Sequence, residues 1–287
     1  MIFSSKKIVL IRLVALSLCA VLVLTVAACS TKTAAASGSD AYDYPVKPGT
    51  DAWKALGSHA DMLKACQIPE TTLNGMSTAG LVETVLNYPL FGDAWAWDNP
   101  QEGFDSVSSG FNGIPALFNR KDAGTELLSE YQALDPTAIN SDWTDQQEGQ
   151  YEYKILDAEM LLAQTPVIAG LSTQDCHNLV REAILKYDAG PQDDIVFEES
   201  CLWIVARVLN QVKYAPFIEK MSADIDYRNF VAKGSFAADP VLKDIYNQAQ
   251  GYLAGTKLPG LRCKINKKGN PALRTGLPFS KTIISWG

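Results

Sequence analysis

"DDIVFEESCLWIVARVLNQVKY", residues 193–214, decides the fold class of this chain. Phe197, Cys201, Ile204, Val205, Val208, Leu209 and Val212 recur at intervals of three and four. That spacing gathers them on one stripe of an α-helix and would scatter them over both faces of a strand. Asp193, Asp194, Glu198 and Glu199 crowd the first turns, where the helix dipole favours negative charge. The stretch reads as a long helix with its stripe packed into a core.

The same signals recur outward in both directions. Upstream, Thr50 and Ser77 stand as caps before "DAWKALGS" and "TAGLVETVLNYP", while "SHADMLKACQI" and "PETTLNG" end against Pro69 and Gly75. Leu81, Val82, Val85 and Leu86 share one face of a packed helix. "DQQEGQYEYKILDAEMLLAQ" reads as a helix to about Gln164, and "STQDCHNLVREAILKYD" opens with Ser172 and Asp175 at capping-box spacing. "DPVLKDIYNQAQGYLAG" has Asp239 as cap, Pro240 at the first helical position and Gly255 after its end. Strand alternation is nearly absent, and only "KTIISW" near the C-terminus resembles a strand. The expected fold is all-α, an irregular multi-helix bundle or an α-α solenoid-like domain, followed by a short extended tail.

Charge divides the chain more sharply than its net value of -7 suggests. Residues 1–28 carry Lys6, Lys7 and Arg12 and no acid. All acids fall between residues 29 and 244, and residues 245–287 hold seven bases and no acid. An acidic body argues against nucleic acid as its partner, because phosphate binding needs positive surface. The basic tail suits an anionic surface, the acidic body itself, or plain solvation.

The N-terminal segment decides where the body works. "LVALSLCAVLVLTVAA", Leu13 to Ala28, is apolar and uncharged, but its helical rise of ~24 Å is short of the ~30 Å hydrocarbon core. A secretion signal fits better than a membrane span. Val26, Ala27, Ala28 and Cys29 resemble the lipobox of bacterial lipoproteins. That resemblance implies cleavage before Cys29 and attachment of acyl chains to it. Ordinary cleavage after Ala34, Ala35 and Ala36, or an uncleaved anchor, are the alternatives. Organisation follows from this reading: a signal over residues 1–28, a lipid-anchored flexible tether over 29–49, an acidic helical domain over 50–255 and a basic tail over 256–287.

Candidate chemistry is sparse. His59 and His177 share no ligand spacing with any cysteine, and no CxxC pair occurs, so neither a metal nor another cofactor is expected. Cys66, Cys176, Cys201 and Cys263 leave disulfides open. "FEESCLW" and "NQAQGYL" faintly resemble pieces of lytic transglycosylases, which would give Glu199 the role of catalytic acid. The Gly-Leu-Met-Gln segment expected between those pieces is missing. In "DAWAWDNPQEGFD", Trp95 and Trp97 alternate with alanine beside Asp93 and Asp98 in a stretch broken by proline and glycine. Indole faces on such loops stack sugars or peptide side chains, so Trp95 and Trp97 are candidate ligand-binding residues. Residues 45–135 resemble uncharacterised secreted or lipid-anchored proteins of Gram-positive bacteria, which implies a location and no activity. Two functions are expected: binding at the outer face of the membrane, with a cell-wall polymer or another extracytoplasmic protein as partner, or hydrolysis of wall glycan by a carboxylate. A substrate receptor of a transporter is weakened, because such receptors alternate strands with helices.

Overall fold

The computed structural model describes residues 39–139, 142–191, 194–235 and 237–255, and the folded unit begins at Asp40. Cys29 and the leader, Cys263, and the tail with its "KTIISW" segment lie outside the described residues. Every regular element among the described residues is helical, as expected.

Short helices build the first half: α1 (Asp51–Lys54), α2 (His59–Ala65), α3 (Glu70–Gly75), α4 (Thr78–Leu86), a 3-10 helix (Phe91–Ala96), α5 (Pro100–Gly110), α6 (Gly113–Phe118) and α7 (Ala123–Ala133). Longer ones follow, with α8 (Asp145–Leu162), α9 (Thr165–Gly170), α10 (Thr173–Ala189), α11 (Ile195–Gln211), α12 (Ala215–Ala223), α13 (Ile225–Lys233) and α14 (Asp239–Gly255). The starts are chemically marked. The side chains of Thr50, Ser58, Ser77, Asn99 and Ser172 each accept the backbone N–H of the third residue after them, an interaction that contributes ~1 kcal/mol per cap. Thr144 and Gln147 close a full capping box at the head of α8.

The helix α11 is the axis of the second half. Its predicted stripe is buried, with Val212 packed at the edge, but Leu202, Trp203 and Ala206 on the other side are buried too. A helix apolar all round must be surrounded, and α8, α9, α10, α12, α13 and α14 all pack on α11. Helices distant in sequence also meet, α13 on α5 and α9 on α7. A solenoid would join each helix only to its neighbours, so the arrangement is an irregular bundle.

Arg207 fixes that bundle. Its Nε donates to Val231 O at 2.8 Å and its Nη1 to Ala163 O at 3.0 Å, while Nη2 donates to Gln101 Oε1 at 2.6 Å and Ala232 O at 3.0 Å. One guanidinium thus satisfies carbonyls at the ends of α8 and α13 and reaches the first turn of α5, using the fork of donors that only arginine carries. Burial lowers its pKa to about 10, and it stays cationic at neutral pH.

The expected boundary at residue 50 is corrected. Asp40 accepts from the Ser77 N–H at 2.7 Å and from Ser77 Oγ at 2.6 Å, and the Tyr42 N–H donates to Thr84 Oγ1 at 2.8 Å. Tyr44 is buried and its hydroxyl donates to Thr84 O at 3.0 Å. Residues 40–49 therefore belong to the domain and not to a flexible tether. Small residues and prolines gave the stretch its linker composition, whereas two tyrosines carry its packing.

Candidate functional site

The loop "FGDAWAWDNP" is a rigid shelf and not a floppy connection. Phe91 and Ala94 are buried on its inner side. Asn99, also buried, accepts the Glu102 N–H at 3.1 Å, and Pro100 takes the first position of α5. The 3-10 helix then lies directly on α5: a Cβ on Gly103 would stand 1.9 Å from Ala94 O, so only glycine admits this approach.

Both candidate tryptophans sit on this shelf in different environments. Trp95 is half-buried, and its indole Nε1 donates to Asp157 Oδ1 at 2.9 Å across 62 positions of sequence. Tyr153, one helical turn before Asp157 on α8, brings its ring to 6.4 Å from that of Trp95, centroid to centroid, at 57°. Trp97, two residues on, is 52% exposed, and Tyr153 equally so. Large aromatic rings left this open next to an anchored indole offer a stacking surface. At the rim, His59 Nε2 lies 2.7 Å from Asp93 Oδ2, both side chains exposed, which ties the head of α2 to the shelf.

Asp157 supports the surface from behind. It is 6% exposed, and burial pushes its pKa up to about 8, with the Trp95 bond acting in the opposite direction. In the ordinary carboxylate range the group would be charged, but here it is a neutral acid at pH 7.

Glu199, the carboxylate singled out in the sequence, is buried. It lies in the second turn of α11, 9% exposed, and its Oε1 accepts the Ala237 N–H at 3.0 Å, pinning the segment ahead of α14. A hollow of about 320 Å³ opens between α12 and α14, lined by Pro216, Glu219, Lys220, Ala223, Asp244 and Gln248, and includes neither Glu199 nor either tryptophan. Another carboxyl, that of Glu159, is sealed in the core. Tyr131 Oη donates to Glu159 Oε1 at 2.6 Å, the Cys201 thiol lies 3.2 Å from the same oxygen, and none of the three has exposed surface. Burial raises the pKa of all three.

Cys66, Cys176 and Cys201 are buried free thiols. His177 is buried as well, with its ring 6.0 Å from that of Tyr252. No group of three or more His, Cys, Asp or Glu suited to a metal ion occurs among the described residues. Sequence reasoning missed Tyr153 and Asp157. The signal present was a carboxylate at 157 inside the apolar run "ILDAEMLLA", a position that burial makes expensive unless a donor faces it. Compared with known proteins, the chain matches no family model, no curated protein and no solved structure.

Proposed function

We propose that the chain is a bacterial lipoprotein, anchored through acyl chains on Cys29 at the outer face of the membrane, whose helical domain binds cell-wall glycan on the Trp95, Trp97 and Tyr153 surface. The observation that carries this reading is the exposure of Trp97 and Tyr153 beside an indole fixed from behind by a buried acid. The C–H faces of a sugar ring are apolar and suit an open indole or phenol, and a rigid shelf loses little entropy on binding. The leader supports the location, and more than one acyl chain gives stable anchoring. Hydrolysis draws no support from Glu199, whose carboxylate is engaged by the Ala237 backbone.

Cosedimentation of the full-length chain with purified peptidoglycan tests the binding. Retention should fall about tenfold, ~1.4 kcal/mol, in Trp97→Ala or Tyr153→Ala while the fold is unchanged. Retention that survives both substitutions together sinks the glycan reading, and clearing of a peptidoglycan zymogram would transfer the case to a hydrolase. Incorporation of a labelled fatty acid that Cys29→Ala abolishes checks the anchor.

A further inference from the structure

A side-chain hydrogen bond ties the shelf to α8, from the indole of Trp95 to a carboxyl that water scarcely reaches. Other charges leave this carboxyl alone. On the shelf, Asp93 faces His59 and Asp98 is exposed; on α5, Asp105 accepts from Gln101 at 2.8 Å and Glu102 is exposed. Against α8 from α7, Glu130 pairs with Lys154 at 2.9 Å, and from α11, Arg207 is spent on carbonyls and Gln101. On α4, Glu83 is half-buried. Burial and the Trp95 bond alone set the proton affinity of Asp157.

We propose that Asp157 is a protonation-controlled latch on the aromatic surface: as a neutral acid it holds Trp95 and the shelf against α8, and its ionisation releases them. The proposal rests on the reading of that surface as the binding face. One N–H donor is too little to stabilise a carboxylate in an apolar setting, so the anion gains by opening the shelf to water. In the open form Asp157 ionises like an ordinary carboxyl, whereas in the closed form it keeps its proton up to about pH 8. The ratio of open to closed shelf therefore rises up to tenfold per pH unit between those two limits and levels off above them. Acidic surroundings favour a closed, binding surface, and alkaline ones disperse it.

The test uses the full-length chain in detergent, labelled with 5-fluorotryptophan, with the Trp95 resonance assigned by its absence in Trp95→Phe. Between pH 5 and 9 the Trp95 signal should change progressively and peptidoglycan retention should fall in parallel. In Asp157→Asn, which keeps an acceptor oxygen and cannot ionise, both should be flat across the range. A Trp95 signal indifferent to pH in the wild type, or one that titrates unchanged in Asp157→Asn, overturns the latch. Loss of the Trp95 response in Asp157→Asn together with no retention at any pH upholds the latch and removes the glycan reading. Should Asp157→Asn fail to fold, carbon-13 labelling of the aspartate carboxyls in the wild type gives the ionisation of Asp157 to set beside the Trp95 signal. Asp157 ionising along with the exposed aspartates overturns the proposal, as does an ionisation that leaves the Trp95 signal unmoved; a carboxyl still protonated at pH 7 whose ionisation coincides with the change at Trp95 upholds it.

Discussion

The guanidinium of Arg207 lies over the indole of Trp203, one turn earlier on α11, 4.3 Å from the ring centroid. The indole Nε1 donates at 3.1 Å to Val231 O, the same carbonyl that Arg207 Nε engages. Two side chains of the central helix therefore converge on the end of α13, and the stack keeps the guanidinium planar to its acceptors.

Removing the arginine should be among the more damaging single changes in the domain. Arg207→Ala strips a donor from three carbonyls and from Gln101, and a loss of about 3 kcal/mol in urea unfolding is expected. Arg207→Lys, keeping the charge but not the fork, should recover no more than about half of that. A midpoint unchanged in Arg207→Lys would mean that charge, and not bond geometry, holds the junction.

Gly234 ends α13 in the left-handed region with φ +84°. An added Cβ would lie 2.6 Å from Trp203 Cδ2, against a rigid ring fixed by Val231 and Arg207. Gly234→Ala should therefore destabilise by about 2 kcal/mol, combining backbone strain with a displaced indole. Gly149→Ala makes the contrast: it lies within α8 with open space around it, and should stabilise by about 0.5 kcal/mol or be neutral. Thermal melts of the two variants check both signs.

The helices were legible because their signals are local. Thr50, Ser77 and Ser172 mark starts through bonds that span three residues, and the α11 stripe repeats within one element. Of the two candidate tryptophans, Trp97 is exposed, whereas Trp95 has its N–H taken up inside. Nothing local announces that Asp157 faces Trp95, or that Arg207 reaches Gln101 across 106 positions, because such pairs exist only once helices are packed. The amphipathic reading of α11 underestimated its burial for the same reason. Trp203 and Ala206 fall off the stripe and are covered by α13 and other partners that periodicity does not reveal.

The start of the domain is testable by truncation. A chain beginning at residue 50 loses the Asp40 bonds to Ser77 and the buried Tyr44 with its bond to Thr84. Tyr44→Ala alone should cost about 3 kcal/mol as a buried aromatic removed from a packed site. A chain beginning at residue 40 should unfold at the same denaturant concentration as the longer protein, and one beginning at 50 at a clearly lower one. Equal midpoints for the two truncations would return residues 40–49 to the tether.

Stability should peak in mildly acid solution and decline toward alkaline pH. Burial raises the pKa of Glu152 to about 7, with Glu148 and Asp194 adding repulsion, and that of Asp157 to about 8; Glu159 is raised as well. Each binds a proton more tightly folded than unfolded. Between the ordinary carboxyl range and the folded value, the native state therefore holds the extra proton, and stability falls as pH rises. One such group contributes at most ~1.4 kcal/mol per pH unit across its window and nothing further above it. On the acid side the sign reverses for Asp40 and Asp135, whose pKa values are lowered by hydrogen bonds from Ser77 and Thr137. Their contribution is present above the ordinary carboxyl range and is lost as pH drops through the folded values. Denaturant unfolding measured from pH 4 to 9 should trace this dome, and Asp157→Asn should flatten its alkaline slope while leaving the acid limb in place. A stability that stays flat from pH 5 to 8 would show that these acids are already ionised in the folded protein.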